Sequence, residues 1–99
     1  MVRLIALYPH PDDTDAFMQY FEETHLPLTR QLPGLIDLRY GRAVSLTGEP
    51  APHFLTGEMD FSDESALFSA LTSDAGQAVV ADVPNYSPRG VELHYIVLP

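Results

Sequence analysis

The 99 residues leave room for one domain with one two-layer core, and a 45% hydrophobic content is a normal globular share. Fourteen acidic residues against five arginines and no lysine give a net charge of −9, so the clustered cations that nucleic acid or an anionic membrane surface demands are lacking. Cysteine is absent, which excludes disulfides, thiolate catalysis and cysteine-ligated metals, and no apolar run approaches the roughly 20 residues of a membrane-spanning helix.

In chain order, Val2–Tyr8 is short, apolar and rich in strand formers, and Pro9 and Pro11 stop it. Its start lacks a signal-peptide pattern, so a cytoplasmic protein is expected. Asp12, Asp13 and Thr14 offer helix caps. From Asp15 onward, Phe17, Tyr20, Phe21, Thr24, His25 and Leu28 repeat at helical spacing and build one apolar face. Pro27 restrains Leu26 and predicts a break or kink near His25–Pro27, then a short second turn to Gln31, with Pro33-Gly34 closing the element. Leu35–Val44 and His53–Phe61 read as a hairpin across the loop Ser45–Pro52. Ser62 or Asp63 caps a second helix carrying Ala66, Leu67, Ala70 and Leu71, and a further helical piece begins at Ser73 or Asp74. Pro84–Pro88 reads as a loop, and Val91–Leu98 as the last strand.

The order strand, helix, strand, strand, helix, strand predicts an α+β fold of the ferredoxin-like βαββαβ type. Its four-stranded antiparallel sheet runs 4-1-3-2, with the helices on one face. The uncovered face is half apolar: Ile5 and Leu7 stand beside Arg3 in the first strand, and Ile96 and Leu98 beside Glu92 and His94 in the last. Such a face needs a cover, and a second copy of the same sheet supplies one, so a homodimer through the sheet face is expected. Arg3 is assigned to an interfacial ion pair on that face.

His25 is the leading candidate for chemistry. It lies on the buried helix face just before Pro27, where an imidazole serves as acid or base near neutral pH. The rival reading is a structural ring bonded to a backbone carbonyl that Pro27 frees. Five tyrosines are many for this length, and each couples an apolar ring to one hydroxyl, which suits an apolar, oxygen-bearing ligand. Tyr8 and Tyr95 share the helix-facing side of the sheet and Tyr20 lies on the apolar helix face, so Tyr8, Tyr20 and Tyr95 are the ligand-binding candidates; packing is the rival role for each. Asp82 is read as capping the following loop through backbone amides. His10, His25, His53 and His94 show no paired metal-ligand spacing, and there is no Gly-rich phosphate loop or Ser elbow, so neither a metal nor a bound cofactor is expected.

Three stretches together resemble the EthD-like family of the dimeric α+β barrel superfamily: VRLIALYPHP at the start, FMQYFEETHLPLTRQLPGL (Phe17–Leu35) and SDAGQAVVADVPNY (Ser73–Tyr86). The H-x-P-L followed by L-P-G-L is the most specific part. The resemblance implies a ferredoxin-like subunit that pairs sheet to sheet, bacterial origin, and a role in degradation or biosynthesis of ethers or aromatics. It also favours a functional His25. Related barrels include cofactor-free monooxygenases, cyclases and isomerases, an analogy of fold alone. Two functions are therefore carried forward. One is a cofactor-free enzyme, of oxidoreductase, isomerase or cyclase type, acting on an apolar small molecule through His25. The other is a non-catalytic accessory or ligand-binding protein of such a pathway.

Overall fold

Strand β1 (Val2–Tyr8) alternates as its composition demands: Val2, Leu4, Ala6 and Tyr8 are buried, while Arg3, Ile5 and Leu7 are half-buried. The computed structural model describes all residues, 1–99. Asp13 caps helix α1 (Thr14–Tyr20) by accepting the Ala16 N–H at 3.0 Å.

The helix does not break at Pro27; the irregularity expected near His25–Pro27 takes the form of a π-helical stretch, and the short second turn follows it. The chain passes from α1 through a π-helical stretch (Phe21–His25) into a last α-helical turn, α2 (Leu26–Thr29). Leu26 keeps helical dihedrals, φ −57° and ψ −43°, and its N–H reaches back five residues to the Phe21 carbonyl. A proline has no N–H and its ring presses on the carbonyl four residues earlier; widening the helix by one residue relieves that clash while preserving the neighbouring bonds. The extra residue also rotates the buried face. Thr24 is exposed and Leu28 only half-buried, whereas His25, Leu26, Thr29 and Leu32 turn inward.

Strands β2 (Asp37–Arg42) and β3 (Leu55–Phe61) form the expected hairpin with shorter ladders than the sequence pattern indicates. Asp63 caps α3 (Glu64–Thr72) through the Ala66 N–H, and Ser73 caps α4 (Asp74–Tyr86) through the Gly76 N–H. The expected Pro84–Pro88 loop is a second correction: α4 runs through Pro84 to Tyr86. Pro84 sits in the last turn, where a missing N–H removes one bond near a fraying end. The Ser87 N–H then closes the helix on the Val83 carbonyl at 2.8 Å.

With β4 (Glu92–Val97), the sheet runs β2-β3-β1-β4, all antiparallel, which is the ferredoxin-like order expected. Leu4 sits between Met59 and Tyr95 on the helix side, and the core closes over Phe61, Leu55 and Leu67. The opposite face keeps Ile5, Leu7 and Ile96 around an ion-pair cluster. There Arg3 donates to both carboxylate oxygens of Asp60 at 2.7 and 3.1 Å, and Arg39 adds a third bond at 3.3 Å. Arg3 thus finds its carboxylate across the strands of its own subunit. No helix is long and apolar enough to cross a membrane.

Candidate functional site

His25 ends the π-helical stretch and is 4% exposed. Its ring stacks on Phe21 at 5.6 Å and meets the ring of Tyr86 at 4.7 Å. Nδ1 lies 3.0 Å from Asp82 Oδ2, and the second carboxylate oxygen of Asp82 accepts the Tyr20 hydroxyl at 2.6 Å and the Asn85 amide at 3.1 Å. The backbone carbonyl of His25 goes instead to Thr29, whose hydroxyl donates to it at 3.2 Å. The rival reading of His25, a ring bonded to a freed backbone carbonyl, is not what forms: the ring bonds a carboxylate.

The charge state follows from the surroundings. Burial pushes the His25 imidazole below its ordinary 6.5, and Asp82 only partly opposes this. For Asp82, burial works to raise the carboxyl, but bonds from Tyr20, His25 and Asn85 outweigh it and hold the group below its ordinary range. The resting pair is a neutral imidazole beside a carboxylate. Nδ1 must then carry the proton and donate to Asp82, which leaves a lone pair on Nε2. Nε2 makes no hydrogen bond within the protein and is not sealed from open space.

That space is a cavity of about 260 Å³ between helices and sheet. Leu4, Ala6 and Met59 floor it, Leu26 and Leu32 form one wall, and Val79 and Val83 of α4 form another. Only His25, Thr29, Tyr8 and Tyr40 bring polar side-chain atoms to its lining. Tyr40 is 37% exposed at the edge, its hydroxyl bonded to Glu22. No three His, Asp or Glu side chains gather as a metal site would need.

The sequence candidates separate in space. Tyr8 lines the same cavity as His25, and its hydroxyl meets that of Tyr86 at 2.8 Å. Tyr20 does not line it: its hydroxyl bonds Asp82, and the residue borders a separate, more polar cleft with Asp12, Asp13 and Arg89. Tyr95 stands apart, bonded to Glu64 at 3.0 Å and packed edge-on to Phe68. Asp82 and Tyr86 are neighbours of His25 that the sequence pattern does not pair with it. Asp82 was expected to cap a loop; on the helix it accepts side-chain bonds from three sides. The usable signal was their i, i+4 spacing, which places both on one face once α4 is allowed to run through Pro84.

A pH dependence follows. Below pH 6.5 the unfolded chain takes up a proton at His25 that the folded chain resists, because the folded value lies lower. The stability from keeping this ring neutral is complete above 6.5 and is lost as the pH falls through the folded value. Denaturant midpoints should therefore drop with acidification below pH 6.5, and His25→Gln should flatten that slope. A wild-type slope surviving in the variant would assign it to another group.

Residues 10–89 match the EthD domain family. An uncharacterized 11.0 kDa protein from the thcB-thcC intergenic region of Rhodococcus erythropolis is 31% identical over 93 residues, covering 94% of this chain and 90% of its own. The chain belongs to the EthD family. An EthD family protein from Bacillus halodurans has a crystal structure that superposes with a TM-score of 0.93 at 34% identity, covering 100% of this chain and 99% of that one. More distant structures share the fold. A dimeric ferredoxin-like protein of unknown function from Thermobifida fusca has a TM-score of 0.73 at 19% identity, covering 98% of this chain and 90% of its own. SnoaB, a cofactor-independent oxygenase from Streptomyces nogalater, has a TM-score of 0.70 at 13% identity, covering 98% and 91%.

Proposed function

We propose that this EthD family protein binds an apolar, oxygen-bearing small molecule in the His25 cavity and moves a proton on it without a bound cofactor. One observation carries the reading: the Nε2 lone pair of His25 is unbonded at an apolar cavity, while Asp82 holds the other side of the ring. A carboxylate in that position fixes the tautomer and stabilises the imidazolium that forms when Nε2 takes a proton. The apolar walls select an uncharged ligand body, and Tyr8 and Thr29 offer it polar partners. Base-initiated oxygenation, isomerisation and cyclisation begin with such a proton removal, so a place in degradation or biosynthesis of aromatic or ether-derived compounds is consistent with the site.

The working unit in this reading is a homodimer joined through the uncovered sheet face. Ile5, Leu7 and Ile96 supply its apolar centre, and the Arg3–Asp60 pair a satisfied polar rim. The Thermobifida fusca protein of the same fold is dimeric. Ile5→Glu, placed next to Glu58 on that face, should yield monomers by sedimentation; an unchanged dimer would put the interface elsewhere.

Native mass spectrometry with a panel of phenols, quinones and lactones tests the ligand reading. One ligand retained per subunit, with affinity lost in Val79→Phe, which narrows the cavity, supports it; an empty protein across the panel counts against it. The sparse polar lining of the cavity favours a second reading, a non-catalytic binder. That reading requires binding with no product on long incubation, and product scaling with protein concentration would exclude it.

A further inference from the structure

Tyr8 and Tyr86 are 4% and 7% exposed, and their hydroxyls lie 2.8 Å apart. Two hydroxyls hold two hydrogens, and their mutual bond uses one. Neither oxygen takes part in any other hydrogen bond within the protein. One buried O–H therefore has no protein acceptor, and it belongs to whichever tyrosine accepts the shared bond. Tyr86 packs its ring against Phe17, Tyr20 and His25 and borders the separate cleft beside Tyr20, not the His25 cavity. Tyr8 lines the His25 cavity. Donation from Tyr86 to Tyr8 thus leaves the spare hydrogen on the tyrosine that shares a cavity with His25. Burial raises both phenols, and the neighbouring Tyr8 raises Tyr86 further, so both remain protonated donors at neutral pH.

We propose that the Tyr8 hydroxyl, supported by Tyr86, receives the substrate's oxygen as negative charge develops on it, and that the substrate class is an apolar cyclic ketone with an enolisable C–H facing His25. This rests on the reading of His25 as proton acceptor. Nε2 takes the proton from the carbon beside the carbonyl, the C–H electron pair becomes the C=C bond of an enolate, and the carbonyl π pair moves onto oxygen, where the Tyr8 O–H meets it. Return of the proton from the imidazolium to carbon restores a ketone, so the step needs no oxidant or co-reactant. A donor preorganised in a water-poor site stabilises such an oxyanion strongly because no solvent must reorganise. The cavity, at about 260 Å³, is smaller than sites for drug-sized ligands, which favours one or two rings.

The experiment is deuterium incorporation next to the carbonyl of 2-tetralone, 1-indanone and cyclohexanone in D2O, followed by proton NMR, with binding of each ketone read from chemical-shift titrations. Wild-type protein should accelerate exchange above the buffer rate for at least one ketone. Tyr8→Phe should lower that rate roughly 10²- to 10³-fold with affinity changed only a few-fold. Tyr86→Phe, in which Tyr8 loses its supporting donor, should lower it by a smaller factor and keeps the test open if Tyr8→Phe does not fold. His25→Gln should return the rate to that of buffer. Wild-type exchange in Tyr8→Phe overturns the role of Tyr8 and leaves His25 as the base. Ketone binding without exchange, or neither, overturns the substrate class, while the broader ligand reading stands or falls on the phenol, quinone and lactone panel. Undiminished exchange in His25→Gln removes both readings.

Discussion

Asp82→Asn is expected to turn the cavity-facing nitrogen of His25 from acceptor to donor, and to slow proton transfer there by about 10²- to 10⁴-fold. The reason is a donor count. The carboxylate accepts Tyr20 and Asn85 on one oxygen and His25 on the other. An amide has one oxygen and one NH2 group. If the oxygen keeps Tyr20 and Asn85, the NH2 faces His25 Nδ1, and the imidazole must present a lone pair there. The ring proton then moves to Nε2, where a base needs a lone pair. Two-bond proton–nitrogen NMR on histidine-labelled protein reads the tautomer directly, independent of any substrate. A ring still protonated at Nδ1, together with full exchange activity, would show that Asp82 does not govern the base. Tyr20→Phe tests the brace from the other side: it removes one of the bonds holding Asp82 low and should alter the pH profile of His25 more than ligand affinity.

Gly76→Ala should cost about 1–3 kcal/mol of stability, in the range for overpacked buried positions. A Cβ at Gly76 would lie 2.2 Å from the Ala70 carbonyl oxygen and 2.5 Å from that of Leu71. Both are backbone atoms at the end of α3, so no side-chain rotation relieves the clash. The corner between α3 and α4 must open instead, and that shifts the base of the helix that carries Asp82 and Tyr86. Guanidinium melts should show the loss, and the His25 tautomer signal should broaden or shift in the same variant. An unchanged midpoint would mean that the corner absorbs a methyl group without strain.

Much of the fold was legible because it depends on periodicity and punctuation. The strand patterns of Val2–Tyr8 and Val91–Leu98, the caps at Asp13, Asp63 and Ser73, and the order of elements each follow from side-chain alternation and local capping. The departures at the two prolines share a cause. Local rules predict a break or kink at Pro27 and a loop from Pro84, and the helix continues through both, once with the irregularity taken up by a π-helical stretch and once because the proline falls in the last turn. Local rules assign a cost to proline; whether tertiary packing offsets that cost is not written in the local pattern.

The same distinction applies to the site. Sequence alone determined a ferredoxin-like α+β chain of the EthD type with no cysteine chemistry, and singled out His25 on an inward helix face next to a proline. It could not supply the partner of that histidine, because Asp82 lies 57 positions away and meets it only through the docking of α4 on the first helix. Nor could it sort the tyrosines: Tyr8, Tyr20 and Tyr95 all read as inward-facing, and tertiary structure sends one to the cavity, one to Asp82 and one to Glu64. Alternation and helical spacing specify which face a residue occupies, a property of a few neighbouring residues. Which groups converge at one point depends on how whole elements pack, and here that was decided by two helices continuing through their prolines.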